Sequence, residues 1–369
     1  MKKCKLGECL SVKHGWAFKG EYFAETGTQS ILTPGNFYEA GGFKPNSGKE
    51  RYYTGEYPAE YLCNKGDLII AMTQQAEGLL GSTALVPEDG KYLHNQRIGL
   101  ITCKEELLDP LFAYFLFMTK TVREQLERSS SGTKVKHTSP ERIYDVEVSI
   151  PDVISQEKIA RILMDIENKI NYNSRINDNL QQMAYETYMH IFFGRKASGK
   201  LGDIIVENEK SSIQVGEAKE STGEYPFFTS GDAILRWQNA IVSGRNCFLN
   251  TGGNAGVKFY VGDAAYSTDT WCITGTDGFA DYLYLLLESM KPELNLKFFQ
   301  GTGLKHLQKP LLRDKPIYIP TESELKSFND AVQPWLTMIS DNVRQNQELI
   351  SLRDWLLPML MNGQATISD

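Results

Sequence analysis

Residues 132–151 read GTKVKHTSPERIYDVEVSIP, and residues 301–320 read GTGLKHLQKPLLRDKPIYIP. At a constant offset of 169, Gly132, Thr133, Lys136, His137, Ile150 and Pro151 fall on Gly301, Thr302, Lys305, His306, Ile319 and Pro320 with no gap. Each copy then runs into a long segment whose apolar residues recur three and four apart, and each segment stops at a glycine, Gly194 or Gly363. That spacing predicts a long helix after each proline. The chain therefore reads as a duplication in which each half ends on a helix.

The first helix carries the seam Ile159, Leu163, Ile166, Ile170, Asn173, Asn177, Leu180, and the second carries Phe328, Val332, Trp335, Ile339, Asn342, Asn346, Leu349. A mean step of 3.5 residues keeps one stripe facing a partner helix along a left-handed supercoil. The partner expected for each copy is the other, and the two are expected to run antiparallel. Both seams turn polar at matching places, Asn173/Asn177 and Asn342/Asn346, and buried asparagines weaken a seam while fixing its register. The plainer alternative is a helix that simply covers a sheet. Against it stands length, since about forty residues make a rod of roughly 60 Å, longer than most domains are wide.

Composition is that of a globular protein, 41% hydrophobic and 23% charged. The first residues, MKKCKLGECLSVKHG, hold positive charge but no apolar segment, and the longest apolar run, 111–118, is less than half a membrane span. A cytoplasmic protein without membrane contact is expected. The six cysteines are scattered with no C-x-x-C, which argues against disulfides and zinc. The net charge of −7 does not by itself suggest a nucleic-acid binder, but it is unevenly spread. Segments 1–150, 151–195 and 196–320 each sum to −1, and 321–369 sums to −4. Near-neutral segments have room for basic faces balanced by acidic backs.

The expected class is α+β, with two mixed α/β globular modules separated by two long antiparallel helices in a coiled coil, and pseudo-two-fold symmetry from the duplication. The boundaries are 1–150, 151–195, 196–320 and 321–369. In the first module strands are expected at 67–72, 82–86, 97–103 and 143–150, with a helix over 109–128 capped by Asp109 and led by Pro110. In the second, strands are expected at 246–249, 257–261, 271–274 and 316–320, and a helix over 282–289. Leu201-Gly202-Asp203 echoes Leu6-Gly7-Glu8.

No catalytic constellation survives inspection. The chain has no G-x-x-x-x-G-K-[ST], no G-x-S-x-G, no H-E-x-x-H and no [DN]-P-P-[YF]. The glycine-rich 252–256 reads as a tight loop before it reads as a cofactor cradle. His137 and His306 recur without a recurring acid or nucleophile, and read as loop-packing residues first and as phosphate or partner contacts second. What the loops do carry is base-reading vocabulary. In the first module this is Lys13, His14 and Lys19 around Trp16 and Phe18, then Thr73-Gln74-Gln75, then Asn95-Gln96-Arg97 after His94, and Thr133, Lys134 and Lys136 within 129–136. In the second it is Thr229-Ser230 with Arg236, Asn250 and Asn254 flanking Thr251, Thr268 within 267–270, and Thr302 with Lys305. Gln and Asn pair with adenine, Arg and Lys with guanine, and hydroxyls with phosphate. Each cluster alone reads as an ordinary solvated loop, so their weight is collective.

With these motifs in view, the chain resembles the specificity subunits of type I restriction-modification systems. The resemblance spans essentially the whole chain. It rests on LGECLSVKHGWAFKG at the start, on the G-T-x-x-K-H loop before each closing strand, and on the phrases Q-E-K-I-A-x-I-L and L-R-x-W-L-L-P-x-L-x-x-G-Q in the helices. It implies that each module is a target recognition domain reading one half of a bipartite site in double-stranded DNA. It implies that the helices space the two readers and dock two modification subunits, with restriction subunits joining through the complex. S-adenosylmethionine then belongs to the modification subunits, and ATP and Mg to the partners that translocate and cleave, which leaves this chain without cofactor or catalytic residue. The second helix departs from the pattern in its acidity and in Trp335 and Trp355, which leaves open the face that meets a partner. Three other readings compete: a stand-alone DNA methyltransferase, a coiled-coil scaffold that never reads DNA, and a recognition subunit of another DNA-targeting defence system.

Overall fold

The computed structural model of the protein describes residues 1–46, 48–74, 78–132 and 135–367. Contacts gather into two compact units, one made of residues 1–168 and 350–369 and the other of residues 169–349. Each unit holds one module together with a stretch of both long helices.

In the first unit the main sheet is antiparallel, in the order Leu10–His14, Ile98–Cys103, Leu68–Ala71, Thr83–Leu85. A second four-stranded sheet is built from the short strands Phe23–Ala24, Tyr52–Tyr53, Ser30–Ile31 and Tyr92–Leu93. The central strands read LIIA and IGLITC, near-continuous apolar runs, because helices cover one face and the second sheet's segments the other. Asp109 caps the helix Pro110–Leu116 by accepting from the Phe112 amide at 2.7 Å. The helix expected over 109–128 is in fact two, since the chain turns at Phe117–Thr119 and restarts as Lys120–Ser129. The strand expected over 143–150 is also shorter. Pro140–Tyr144 is helical, with Pro140 at the first position where its missing N–H costs nothing, and only Glu147–Ile150 is extended.

The second unit repeats the main sheet as Ile205–Glu207, Thr270–Gly275, Arg245–Asn250, Val257–Val261, again antiparallel. Beside it lies a three-stranded sheet of Ile234–Trp237, Tyr225–Phe228 and Ala265–Tyr266. The helix Ala280–Ser289 packs on the main sheet, as Pro110–Leu116 does in the first unit. The closing strand is confined to Pro316–Ile317. In both modules the first strand pairs with the last: Lys2–Lys5 with Glu147–Ile150, and Gly199–Lys200 with Pro316–Ile317.

The long helices are Val153–Phe192 and Glu322–Met361, forty residues each. Asp152 starts the first by accepting from the Ser155 amide at 3.0 Å, and buried Gln156 ties it to the module through Leu107, Asp109 and Pro151. Thr321 and Glu324 start the second as a capping box, with the Thr321 amide 2.9 Å from Glu324 Oε2. Within the second unit the helices run antiparallel. Asn173, 1% exposed, donates to Asn346 Oδ1 and Gln345 Oε1, both at 2.8 Å, and Asn342 donates to Asn177 Oδ1 at 2.8 Å. Within the first unit Arg353 meets Glu167 at 2.6 Å.

The apolar part of the expected seam differs. On the second helix Phe328, Val332, Leu336 and Ser340 are buried at steps of four, while Trp335 and Ile339 are half-buried. The reason is that this stretch also packs on its module, Phe328 meeting Tyr282 of the module as well as Tyr188 and Phe192 of the first helix in one core. Ile159, Ala160 and Leu163 are buried in the core of the first module in the same way. Covering a module and pairing with a helix are thus both done by one rod. Among the described residues no helix is long and apolar enough to cross a membrane.

Candidate nucleic-acid interface

Alternate strands of an antiparallel sheet point opposite ways, so the end of one strand and the start of its neighbour share an edge. In the first module that rule gathers the segments after His14, before Ile98, after Ala71 and before Thr83 at one end of the main sheet. Two of the expected clusters interlock there. The Trp16 amide donates to His94 O at 2.8 Å and the Gln96 amide to Trp16 O at 3.1 Å. The Trp16 ring, 40% exposed, sits 5.3 Å from that of Tyr61. Lys13 lies 4.4 Å over the Tyr61 ring and 3.0 Å from Glu60, so its charge is partly satisfied. His14, Gln96 and Arg97 are exposed, and Asn95 uses its side-chain oxygen to accept from the Arg97 amide at 3.2 Å. His94 is buried, which pushes its imidazole down to about 4 and keeps it neutral, while Nε2 bonds Ile98 O at 2.8 Å.

The repeated G-T-x-x-K-H loop docks on the same end. Lys136–His137 pairs with Thr73–Gln74, with Thr73 Oγ1 3.1 Å from His137 Nδ1. Arg142 braces the loop, donating to Ser131 Oγ at 2.8 Å and to His137 O at 3.1 Å. Gly132 has φ +97°, and a Cβ there would lie 2.1 Å from Val135 O. Lys136 is paired with Glu127. Gln75, Thr133 and Lys134 lie outside the described residues. Lys19 is exposed on the turn before Gly20–Tyr22, with no side-chain contact tying it to this end among the described residues.

The second module assembles the same end from different residues. Thr251 donates to Asp269 O through both its amide and its hydroxyl, each at 3.0 Å. The second copy of the loop docks there as the first does, the Gly253 amide meeting Lys305 O and the Leu307 amide meeting Thr251 O, each at 2.9 Å. Gly301 has φ +149°, and a Cβ there would meet Leu304 O at 2.6 Å. Thr302, Lys305 and Asn254 are exposed, and Thr268 is half-buried. Asn250 is 7% exposed and its amide is consumed by the 252–256 loop, donating to Gly252 O at 3.0 Å and to Asn254 O. Thr229 is also turned inward, its hydroxyl donating to Ala233 O at 3.1 Å, while its carbonyl accepts from Lys258 at 2.7 Å. Both therefore shape loops in this structure. Ser230 and Arg236 are half-buried, the latter in the strand Ile234–Trp237 with no ion pair among the described residues.

Sequence reasoning did not single out Tyr61, Arg142, Asn208 or Glu209, which the fold brings to these ends from outside the polar clusters. Nothing in the local sequence distinguishes them. Among the described residues there is no cluster of His, Cys, Asp and Glu fit to hold a metal ion.

A family model described as the type I restriction modification DNA specificity domain matches residues 1–182 and 196–333. The chain is 22% identical over 306 residues to the type I restriction enzyme MjaIX specificity subunit of Methanocaldococcus jannaschii, across 70% of this chain and 69% of that protein. The MjaVIII specificity subunit of the same organism is 22% identical over 184 residues, 48% of this chain and 42% of that one. The crystal structure of the type I restriction-modification system S subunit from M. genitalium shares the fold, with a TM-score of 0.63 at 13% identity over 100% of this chain and 96% of that one. Each matched stretch contains one of the two sheet ends described above, and the chain belongs to the family of type I restriction modification DNA specificity domains.

Proposed function

We propose that this chain is the DNA-recognition subunit of a type I restriction-modification complex, and that each module reads one half of a bipartite site with the loop-bearing end of its main sheet. The observation that carries the reading is the duplication itself. Two matches to a DNA specificity domain fall on two modules that present the same end, each clasped by its own G-T-x-x-K-H loop. Groups suited to base edges, Gln96 and Arg97 in one module and Asn254 and Lys305 in the other, stand exposed there.

The rest of the assignment follows the resemblance. Two modification subunits dock on the long helices and supply S-adenosylmethionine. Restriction subunits supply ATP- and Mg-dependent translocation and cleavage, and the whole works in the cytoplasm. The helices act as the spacer between the half-sites, and Asn173, Asn177, Asn342 and Asn346 fix their register.

The test is selection from a randomised duplex library by the full chain assembled with modification subunits, at moderate salt so that phosphate contacts alone do not dominate. Recovery of a motif in two separated halves is expected. Binding that ignores sequence would make the chain a scaffold and end the reading.

A further inference from the structure

The hydrogen-bond register of the two main sheets gives a residue-by-residue equivalence that the sequence does not. Ile98 faces Ala71 and Thr270 faces Asn250, while the Met72 amide donates to Arg97 O at 3.1 Å and the Thr251 amide to Asp269 O at 3.0 Å. Arg97 and Asp269 are therefore the same position in the two modules. On the strand alongside, Lys13 faces Leu100, while the Asn208 amide donates to Cys272 O at 3.0 Å. Lys13 and His14 thus correspond to Asn208 and Glu209. At three equivalent positions of one edge, the first module offers Lys13, His14 and Arg97 where the second offers Asn208, Glu209 and Asp269.

Arg97 and Asp269 are both exposed, and neither side chain has a bond or ion pair within the chain among the described residues. A free guanidinium at a DNA-facing edge gains from phosphates or from the paired acceptors of guanine. A free carboxylate has neither option. It is repelled by phosphates, accepts only, and gains only from a base amino group, for which cytosine N4 is the usual partner.

Resting on the reading above, we infer that Arg97 and Asp269 are register-equivalent specificity residues of opposite chemistry, Arg97 reading a guanine in one half-site and Asp269 accepting from a cytosine amino group in the other. The two modules are thereby one scaffold with an inverted reading charge, which gives the two half-sites different sequences.

The experiment is the same library selection on the full chain with its modification subunits, comparing wild type with Arg97→Ala, Asp269→Ala and Asp269→Asn. Because neither side chain has a partner among the described residues, the variants are expected to melt as the wild type does. Arg97→Ala should lower the preference for guanine at one position of one half by about 5- to 100-fold and leave the other half intact. Asp269→Ala should do the same for a cytosine in the other half, and Asp269→Asn should move that position toward adenine, which an amide pairs with. An unchanged motif, an equal loss across all sequences, or relaxation at an A·T pair would overturn the inference while the wild-type bipartite motif stands. A wild type that selects no bipartite motif would instead remove the reading beneath it.

Discussion

Removing the Asp281 carboxylate should unseat the second module from the second long helix. Asp281, in the helix Ala280–Ser289, is 0% exposed and accepts from Arg245 Nε at 3.0 and 2.9 Å and from Arg245 Nη2. Arg245 opens the central strand Arg245–Asn250 and reaches on to Thr337 Oγ1 at 3.0 Å and Gln333 O at 3.3 Å, both on the long helix. One guanidinium thus fastens sheet, short helix and rod together inside this unit. In Asp281→Ala the guanidinium, whose side chain is 23% exposed, loses its counter-charge in a largely desolvated site. Breaking a buried pair from one side costs about 3–5 kcal/mol, or about 6–20 °C in Tm for a unit of this size. The double variant Asp281→Leu with Arg245→Met removes both charges, and should recover most of the loss because apolar replacement of a buried pair is often neutral. Scanning calorimetry on the full chain measures both. A single-variant loss under about 1 kcal/mol, or a double variant as unstable as the single, would refute the argument.

Three further outcomes are expected. Glu324, which accepts from the Thr321 amide and hydroxyl, Tyr318 and Arg195, is held at about 2 against an ordinary 4.5. A depressed carboxylate stabilises above its unfolded value and loses that contribution as pH falls through its folded one. Helix content near Thr321 should therefore decline between about pH 5 and 2, and Glu324→Gln should remove that dependence in circular dichroism titrations. Gly132→Ala and Gly301→Ala each place a Cβ inside 2.6 Å of a loop carbonyl at positive φ, so each should relax the motif in one half-site only, measured by library selection. Inserting four residues in both rods, about 6 Å of helix, should lengthen the unread spacer by about two base pairs at 3.4 Å each. Methylome sequencing reads this directly, and an unchanged spacer would count against the helices as the ruler.

The duplication was legible because its anchors, the G-T-x-x-K-H loop and the closing Ile-Pro, keep one offset. The strands between do not. Equivalent strands lie 195 residues apart at Leu10 and Ile205 but 172 apart at Ile98 and Thr270, because the connections after Ser30–Ile31 and after Tyr52–Tyr53 are longer than those after their counterparts Tyr225–Phe228 and Ile234–Trp237. The echo of Leu6-Gly7-Glu8 in Leu201-Gly202-Asp203 aligns the first strands, but only the hydrogen-bond register aligns the later ones, and the correspondence of Arg97 with Asp269 was hidden for that reason. The asparagines announced themselves, since polar residues in an apolar period stand out. Leu336 taking the place of Trp335 in the core did not, because the period records one partner and this helix has two. Among the site residues, Asn250 and Thr229 read as base-facing by residue type, yet each is spent on its own loop, a fate set by backbone carbonyls that come from several positions downstream.

The pairing of first strand with last in each module, Lys2–Lys5 with Glu147–Ile150 and Gly199–Lys200 with Pro316–Ile317, carries a consequence for exchange. Entry and exit of the chain stand side by side, so each module leaves the rod and returns to it through one two-stranded stem. Whatever is grafted above that stem leaves the path of the chain below it unchanged. A new reader, with a different length and different loops, has to close the same short ladder and keep the face that packs on the rod to deliver the chain into Pro151 or Pro320 at its start.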